Sequence, residues 1–330
     1  MNVQAALREP QPLEPPESFA ADILAGLTAK PKQLPPKYFY DSIGSALFER
    51  ITQLPEYYPT RSELSILEAN APAIASLFPP HCALIEFGAG SSRKARILLG
   101  AAATVEVYVP VDISGDFLQK DAAQLRRDFL HLAVHPLVAD FTKAFDMPPG
   151  IAPLARVGFF PGSTIGNFEP HEAAKFLRHA GTMLGVGSLL LIGVDLIKDQ
   201  KALFRAYNDA EGVTAQFNLN LLARINRELG ANFNLDAFEH HACYNGERNR
   251  IEMYLASTKR QKVRINGTTI DFRAGETIHT ENSYKYTIES FQALARGSGW
   301  SPQKAWTDGL FAVHALTFEG ASKEGAPKDK

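Results

Sequence analysis

Short apolar runs alternate with amphipathic stretches through the middle of the chain. The apolar runs predict strands near residues 82–87, 105–111, 132–138, 156–160 and 187–194. The amphipathic stretches predict helices near residues 92–101, 114–129, 169–183 and 200–209. Strands that alternate with helices in this way predict an α/β fold with a parallel, doubly wound sheet. Since ligands of such sheets bind beyond the carboxyl ends of the strands, the loops at those ends form the candidate site.

The pattern changes on both sides of this region. Before it, we predict an extended leader over 1–16, a helix over 19–29, a linker over 30–36, a helix over 45–53 and a helix over 64–74 that follows a capping box, Thr60 to Glu63. After Asp195, we predict a helix over 212–229, a strand over 250–257, a hairpin over 263–272 with its turn at Asn266-Gly267, a helix over 288–296, and strands over 303–306 and 310–318. Residues 198–285 therefore form a predicted insertion, after which the sheet resumes.

The loop after the first predicted strand has the composition of a nucleoside-binding turn. Glu86 ends the strand, and Gly88 and Gly90 follow it directly before a helix, where glycine allows positive φ angles and close approach of a ligand. The next strand ends in Asp112, a position where an acid commonly binds ribose hydroxyls. Arg93 stands where a dinucleotide fingerprint has its third glycine, and no P-loop sequence is present, so S-adenosylmethionine (SAM) fits best. From these residues alone, an ordinary strand–turn–helix joint remains the alternative.

Composition narrows the class of protein. The chain has 330 residues, of which 45% are hydrophobic and 21% charged, and a formal net charge of −2, which does not indicate a surface for nucleic acid. The N-terminal residues lack the apolar segment of a secretory signal peptide, and no run of about 18 apolar residues predicts a membrane span. Cys82 and Cys243 have no metal-binding spacing and are expected to be reduced, buried thiols in a cytoplasmic protein.

Several strings along the chain point to one family. They are Lys37-Tyr-Phe-Tyr-Asp41, Gly44-Ser45, Leu54-Pro-Glu-Tyr-Tyr-Pro-Thr-Arg61, Glu86-x-Gly-x-Gly90, Val109-Pro-Val-Asp112, Gly162-Ser-Thr-Ile-Gly-Asn167, Gly212-Val-Thr-Ala-Gln-Phe-Asn218, Asn226-Arg-Glu-Leu229, Ile251-Glu-Met253 and Thr280-Glu-x-Ser283. Through these strings, from Pro35 to Leu316, the chain closely resembles the L-histidine Nα-methyltransferases of ergothioneine biosynthesis.

The resemblance implies a SAM-dependent enzyme that trimethylates the α-amino group of L-histidine to hercynine and releases S-adenosyl-L-homocysteine (SAH). It implies a Rossmann-like class I methyltransferase domain that binds SAM, formed by 60–197 and 286–318. It also implies a substrate-binding α+β domain, formed by 17–59 and 198–285, with flexible ends at 1–16 and 319–330. We expect a cytoplasmic monomer that takes L-histidine as its small-molecule substrate, with no metal and with neither nucleic acid nor membrane as a partner.

The residues expected to bind the cofactor follow the ends of three predicted strands. They are Glu86, Gly88, Gly90, Lys94, Asp112, Asp140 and Phe141. Asp140 and Phe141 supply an acid and an aromatic ring, which in SAM sites typically contact the adenine by a hydrogen bond and by stacking. A structural turn is the alternative interpretation of this region.

A second set of residues is expected near the amino-acid end of the substrate. Asn167 is a candidate to orient the amine or the carboxylate, and the sequence alone makes it equally a candidate N-cap of the next helix. The resemblance implies that Tyr57 and Tyr207 contact the carboxylate and that Tyr40 lies near the amine. Core packing is the alternative for each tyrosine.

A third set is expected at the imidazole. Glu281 and Ser283 alternate, so an extended segment would direct both to one side, where a carboxylate and a hydroxyl could hold the imidazole nitrogens. The resemblance implies that Met253 packs beside the ring. Core packing is an equal alternative for Met253, and a solvated strand face is the alternative for Glu281 and Ser283. Four histidines have no metal-binding spacing and are interpreted as structural or surface residues: His240, His241, His279 and His314.

The expected chemistry requires an unprotonated amine in line with a sulfonium methyl group, so the protein mainly supplies position. Tyr40 and Asn167 are the candidate catalytic residues. As hypotheses, Tyr40 assists deprotonation, and Tyr40 and Phe141 stabilise the methylated cation by cation–π contact. Two alternatives remain, a methyltransferase of the same fold for another amino acid or amine, and a SAM-binding module without activity. The Glu281/Ser283 pair argues against the first, and the intact glycine loop, with Asp112 and Asn167, argues against the second.

Overall fold

The computed structural model describes residues 17–148 and 150–320. Its helices are α1 (Glu17–Thr28), α2 (Ser42–Gln53), α3 (Tyr58–Ala75), α4 (Arg93–Ala101), α5 (Gly115–Asp128), α6 (Pro170–Leu184), α7 (Gln200–Tyr207), α8 (Val213–Leu229) and α9 (Ile288–Arg296). Its strands are β1 (Lys32–Gln33), β2 (Cys82–Phe87), β3 (Val105–Asp112), β4 (Ala133–Val134), β5 (Leu137–Val138), β6 (Ala155–Phe160), β7 (Leu189–Asp195), β8 (Phe238–Asn245), β9 (Arg250–Ser257), β10 (Gln261–Ile265), β11 (Thr268–Phe272), β12 (Thr277–Tyr284), β13 (Trp300–Thr307) and β14 (Phe311–Phe318). Short 3-10 helices cover Pro36–Phe39, Thr164–Asn167 and Leu235–Ala237.

The larger sheet has the strand order β13-β14-β7-β6-β2-β3-β4, with β5 also paired to β3. Strands β2 to β7 pair in parallel, and β14 runs antiparallel to β7. Along β2, Cys82 and Leu84 enter the core formed with α3, α4 and α5, whereas Ala83 and Ile85 enter the core formed with α6 and α9. Burial on both faces explains why these strands read as continuous apolar runs. The predicted α/β fold with a Rossmann-like parallel sheet is confirmed.

The smaller sheet has the order β1-β12-β9-β8. Strands β12, β9 and β8 pair antiparallel, and β1 pairs in parallel with β12. Helices α1, α2 and α8 share a core with this sheet, in which the rings of Phe39 and Phe217 stack with centroids 4.6 Å apart. The predicted hairpin forms as β10 and β11, and Asn266 and Gly267 both have positive φ angles, as a two-residue hairpin turn requires.

Several expectations about individual strands need correction. The predicted strand over 132–138 is two short pieces, β4 and β5, interrupted at His135-Pro136, where proline has no N–H to donate to a neighbouring strand. The predicted linker over 30–36 contains β1, which pairs with β12. The sequence pattern did not predict β8, and β12 was anticipated only as an extended segment around Glu281.

The predicted capping box from Thr60 to Glu63 is wrong. Helix α3 begins at Tyr58, with Pro59 in its first turn, where the fixed φ of proline suits the helix and its missing N–H costs nothing. Thr60 and Glu63 therefore lie inside the helix, and the Glu63 carboxylate accepts hydrogen bonds elsewhere.

The remaining expectations about the chain concern its surface and its ends. Cys82 is buried as expected, but Cys243 is exposed on β8, so its predicted burial is wrong; neither forms a disulfide. The expected flexible ends lie outside the described residues, except that Glu319 donates its amide to the Gly299 carbonyl at 2.9 Å. Across 17–148 and 150–320, no helix has both the length and the hydropathy to cross a membrane.

Candidate functional site

A cavity of about 570 Å³ opens at the carboxyl ends of β2, β3, β6 and β7, and α2, α8 and β12 close it on the other side. Loops after parallel strands meet at one edge of the sheet, which is why residues distant in sequence converge there. All the predicted site residues line this cavity: Tyr40, Tyr57, Glu86, Gly88, Gly90, Lys94, Asp112, Asp140, Phe141, Asn167, Tyr207, Met253, Glu281 and Ser283.

The glycine loop is shaped by contacts on both sides. Gly88 has a φ of +73° and donates its amide to the Val111 carbonyl at 2.8 Å, which ties the loop to β3. A Cβ on Gly88 would lie 3.3 Å from the Phe141 ring, so a side chain there would be both strained and crowded. A Cβ on Gly90 would meet no atom within 4 Å, so this part of the loop is open to a ligand.

Two acids at strand ends are held by their own loops. Asp112 Oδ1 accepts the Ser114 amide at 2.8 Å, and Asp140 Oδ1 accepts the Thr142 amide at 3.0 Å. Burial raises the pKa of Asp112. Local hydrogen bonds of this kind fix the direction of a short side chain, so both carboxylates are oriented before any ligand arrives.

Glu86 and Lys94 line the same part of the cavity but have partners within the protein. The hydroxyl of Tyr108 donates to the buried Glu86 carboxylate, and burial raises the pKa of Glu86 to about 8. Lys94 Nζ lies 2.6 Å from Glu63 Oε2. Glu86 and Lys94, which are expected to bind the cofactor, therefore also contact Tyr108 and Glu63, and the sequence predicted neither contact.

The raised pKa of Glu86 leads to a test of stability against pH. The folded protein holds this proton up to about pH 8, whereas the unfolded chain releases it near 4.5, so the carboxyl makes folding less favourable as pH rises between these values. We expect Glu86→Gln to gain thermal stability relative to the wild type from about pH 5 to about pH 9, by a few kcal/mol at most, since each pKa unit is about 1.4 kcal/mol. Melting temperatures of the ligand-free proteins measure this, with Glu68→Gln on the exposed side of α3 as control. A difference that stays unchanged across the range contradicts the prediction.

Asn167 ends the short 3-10 helix Thr164–Asn167 at the carboxyl end of β6. The preceding Ser163 has a φ of 57°, and a Cβ on Gly166 would lie 2.7 Å from the Tyr284 carbonyl, so the loop packs closely against β12. Among the described residues, the Asn167 amide has no hydrogen-bond partner. The N-cap of α6 is Glu169, which forms a capping box with Glu172, so the interpretation of Asn167 as a helix cap is wrong.

Aromatic side chains line the wall opposite the sheet. The Tyr40 ring meets the rings of Phe48 and Phe217 edge-on, each with centroids 5.7 Å apart, and the rings of Tyr57 and Tyr207 are 6.5 Å apart. Burial raises the pKa of Tyr40, Tyr57 and Tyr207 well above the usual value for tyrosine. All three are therefore neutral phenols, which argues against a phenolate of Tyr40 as the base.

Glu281 and Ser283 lie on the same side of β12 and both line the cavity. Met253 is paired with Glu281 across the sheet, on β9. Burial raises the pKa of Glu281 to about 7, partly offset by the nearby ammonium group of Lys285. The wall thus offers an acid that titrates near neutral pH, a hydroxyl and an apolar thioether within one strand pair.

Lys285 was not among the expected site residues, although it continues the alternation of Glu281 and Ser283 by one more step. Its Nζ lies 2.7 Å from Ser283 Oγ, 3.2 Å from the Tyr207 hydroxyl and 2.7 Å from Asp195 Oδ2. Since an ammonium group has three protons and no lone pair, these contacts use its full capacity. The spacing of residues 281, 283 and 285 is the pattern that could have revealed it.

A buried network continues from Asp195 at the end of β7. The Tyr58 hydroxyl lies 2.7 Å from Asp195 Oδ2, and Lys198 contacts both groups. Burial alone would raise the pKa of Asp195, but the two ammonium groups outweigh it and lower this pKa, while burial lowers the pKa of Lys198 to about 8. Thr214 on α8 also lines the cavity, and its buried hydroxyl has no partner among the described residues.

The histidines have structural surroundings. His240 contacts Asn218 and the Tyr207 carbonyl, His279 contacts Asn282, and His314 is buried against Phe291 without a polar partner among the described residues. His241 is exposed. The described part of the chain has no cluster of three or more His, Cys, Asp or Glu side chains that could hold a metal ion.

Comparison with known proteins identifies similar chains. A family model described as "Histidine-specific methyltransferase, SAM-dependent" matches residues 19–318. The chain is 42% identical over 297 residues to the histidine N-alpha-methyltransferase of Mycolicibacterium smegmatis, covering 88% of this chain and 92% of that protein. It is 42% identical over 293 residues to the histidine N-alpha-methyltransferase of Mycobacterium tuberculosis, covering 87% and 90%. It is also 33% identical over 295 residues to ergothioneine biosynthesis protein 1 of Neurospora crassa, covering 87% of this chain and 33% of that longer protein.

Proposed function

Because this chain belongs to the family of histidine-specific, SAM-dependent methyltransferases, we propose that its cavity binds SAM and L-histidine together. The enzyme transfers a methyl group to the α-amino nitrogen of histidine, in ergothioneine biosynthesis. We propose that it does so three times and yields hercynine. The observation that carries this proposal is that the expected cofactor and substrate residues line one continuous cavity.

The cofactor half is formed by the loops after β2, β3 and β5. Asp112, already oriented by the Ser114 amide, would accept hydrogen bonds from the ribose hydroxyls, and Asp140 with Phe141 would contact the adenine. Gly90 leaves space for the cofactor beside the backbone. When bound, SAM supplies an electrophilic methyl group and carries its own leaving group.

The substrate half is formed by the loop after β6, by β12 and by the aromatic wall. Asn167 is proposed to hold the amine and carboxylate, because its amide has both donors and an acceptor and no partner among the described residues. Tyr57 would donate to the carboxylate. Tyr207, whose hydroxyl donates to Ser283 Oγ at 2.7 Å in the ligand-free structure, would exchange that hydrogen bond for one to the carboxylate. Glu281 and Ser283 would hold the two imidazole nitrogens, and Met253 would pack beside the ring.

The wall of the cavity favours a neutral amine. Burial disfavours the charged form of an amine, so the site lowers the cost of presenting the lone pair. Correct orientation of the two reactants is worth about 7–11 kcal/mol. The ring face of Tyr40 is proposed to stabilise the ammonium cation by cation–π contact as methyl groups are added to it.

The domain boundaries, the oligomeric state and the compartment of the chain are also part of the proposal. We propose that 60–197 with 286–318 form the SAM-binding domain and that 17–59 with 198–285 form the substrate-binding domain. The residues proposed to bind cofactor and substrate all belong to this chain, and we propose that it acts as a monomer. The two unpaired cysteines support a reducing compartment, the cytoplasm. Size-exclusion chromatography with light scattering tests the monomer.

Asp112 provides a test of the cofactor half. We expect Asp112→Ala to weaken SAH binding about 10- to 100-fold, because hydrogen bonds to a charged group contribute about 1.5–3 kcal/mol and each 1.4 kcal/mol is tenfold. Titration calorimetry measures the dissociation constant. The control is Asp128→Asn on the exposed side of α5. Unchanged affinity in Asp112→Ala would remove this residue from the cofactor site.

The proposed activity is tested by mass spectrometry of reactions that contain the protein, SAM and L-histidine, with tryptophan and tyrosine in parallel. We expect histidine alone to gain the mass of three methylene units. Methylation of another amine instead would keep the cofactor site and overturn the substrate. Bound SAH without turnover of any amine would favour a binding module and contradict the proposed activity.

A further inference from the structure

Glu63 does not line the cavity, yet its carboxylate contacts two residues that do. It is fully buried on α3, at 0% exposure. Its Oε2 lies 2.6 Å from Lys94 Nζ, and the Gly162 amide donates to the same carboxylate at 2.8 Å. Lys94 is in the first turn of the helix after the glycine loop, whereas Gly162 begins the loop that ends at Asn167. One carboxylate therefore contacts both halves of the cavity.

The main sheet has a space for this carboxylate at Gly193, in the middle of β7. A Cβ on Gly193 would lie 2.1 Å from Glu63 Oε1, a separation that real side chains do not show. The φ angle of Gly193 is not positive, so no turn requires glycine there. Glycine inside a strand usually marks a close approach, and here the approaching group is Glu63.

We propose that Glu63 is a positioning residue for methyl transfer, which fixes Lys94 and the loop from Gly162 to Asn167 in one arrangement and neutralises the charge of Lys94. The inference rests on the proposed function of this cavity. Lys94 has a side chain only 16% exposed, and without Glu63 its ammonium group would lose its ion-pair partner at the cavity wall.

The charge of Lys94 allows the proposed role of Glu63 to be distinguished from a role in folding alone. SAM has a sulfonium cation, and SAH has a neutral thioether in its place. An ammonium group that has lost its ion-pair partner repels the cation more than the thioether, so the loss of Glu63 should weaken SAM binding more than SAH binding. A general loss of folding would weaken both equally.

The experiment compares the wild type, Glu63→Gln and Glu68→Gln, a control on the exposed side of the same helix. Glutamine keeps an acceptor for the Gly162 amide but cannot neutralise Lys94. In Glu63→Gln, we expect calorimetry to show the ratio of the SAM to SAH dissociation constants rising about tenfold, and KM for histidine rising as well. In Glu63→Gln/Lys94→Met, the ratio should return toward the wild-type value. A ratio unchanged within about twofold in Glu63→Gln overturns the proposed charge role.

Gly193→Ala tests the positioning role without changing a charged residue. It should displace the Glu63 carboxylate and raise KM for histidine, and its effect should be smaller in a Glu63→Ala background, where only the contact with Phe311 remains. Equal effects in both backgrounds would overturn the positioning role. Gly193→Ala also tests the positioning role if Glu63→Gln does not fold.

The measurements of SAM and SAH binding require no turnover. They therefore remain valid even if the wild-type protein fails to methylate histidine and the proposed function is wrong.

Discussion

Asn167→Ala is expected to reduce kcat/KM for histidine about a thousandfold, while the dissociation constant of SAH changes less than about threefold. The reason is the position of its amide, which lines the cavity with no hydrogen-bond partner among the described residues. Its loop packs against Tyr284 at the end of β12, which brings Asn167 close to the strand of Glu281 and Ser283. An error in amine position costs rate in all three proposed methylations, because each needs the nitrogen in line with the methyl group.

The measurement is steady-state kinetics with histidine, together with calorimetry of SAH. Asn167→Asp provides the matched comparison, since it keeps the size and an acceptor but loses the amide protons. We expect Asn167→Asp to lose more in KM than in kcat, because its charge repels the substrate carboxylate. If Asn167→Ala retains kcat/KM within about tenfold, the proposed orientation of the amine by Asn167 is wrong.

The sequence predicted the larger sheet well because its signals are local. Strands β2, β3, β6 and β7 are mainly apolar runs, and each has a glycine or an acid at its end or within two residues after it. The limits of α9 match the predicted helix over 288–296. The carboxyl ends of parallel strands must share one edge, so the sequence also indicated where Gly88, Asp112 and Asn167 would meet. The roles of these residues remain predictions until they are tested.

The sequence predicted the smaller sheet less well because its contacts are distant. Strand β1 has two residues and exists only because it pairs with β12, which lies far along the chain. The contacts of Glu63 are also distant in sequence, because its partners Lys94 and Gly162 lie in other segments and no local pattern encodes them. In the case of Glu63, a local pattern, the capping box, competed with the tertiary contact and gave the wrong interpretation.

Glu281→Gln is expected to raise KM for histidine about a hundredfold at about pH 8, and by a smaller factor at about pH 6. Burial raises the pKa of Glu281 to about 7, so the wild-type side chain is mainly an acid below that pH and mainly a carboxylate above it. A carboxylate accepts a stronger hydrogen bond from an imidazole N–H than an amide or a protonated acid does. The advantage of glutamate over glutamine therefore grows as pH rises through 7.

The ratio of the two KM values is the measurement that isolates Glu281. Free histidine also titrates in this range, with an imidazole pKa of about 6.5, and its titration cancels in the ratio when both proteins bind the same protonation state of histidine. The exposed carboxylate of Glu239 on β8 supplies a control, since Glu239→Gln changes the same chemical group outside the cavity and should leave the ratio near one at every pH. A Glu281→Gln ratio that is large but independent of pH would mean that Glu281 binds the imidazole in a single protonation state across the range. A ratio near one would mean that the imidazole lies elsewhere in the cavity, and the buried hydroxyl of Thr214 would then be the next group to test.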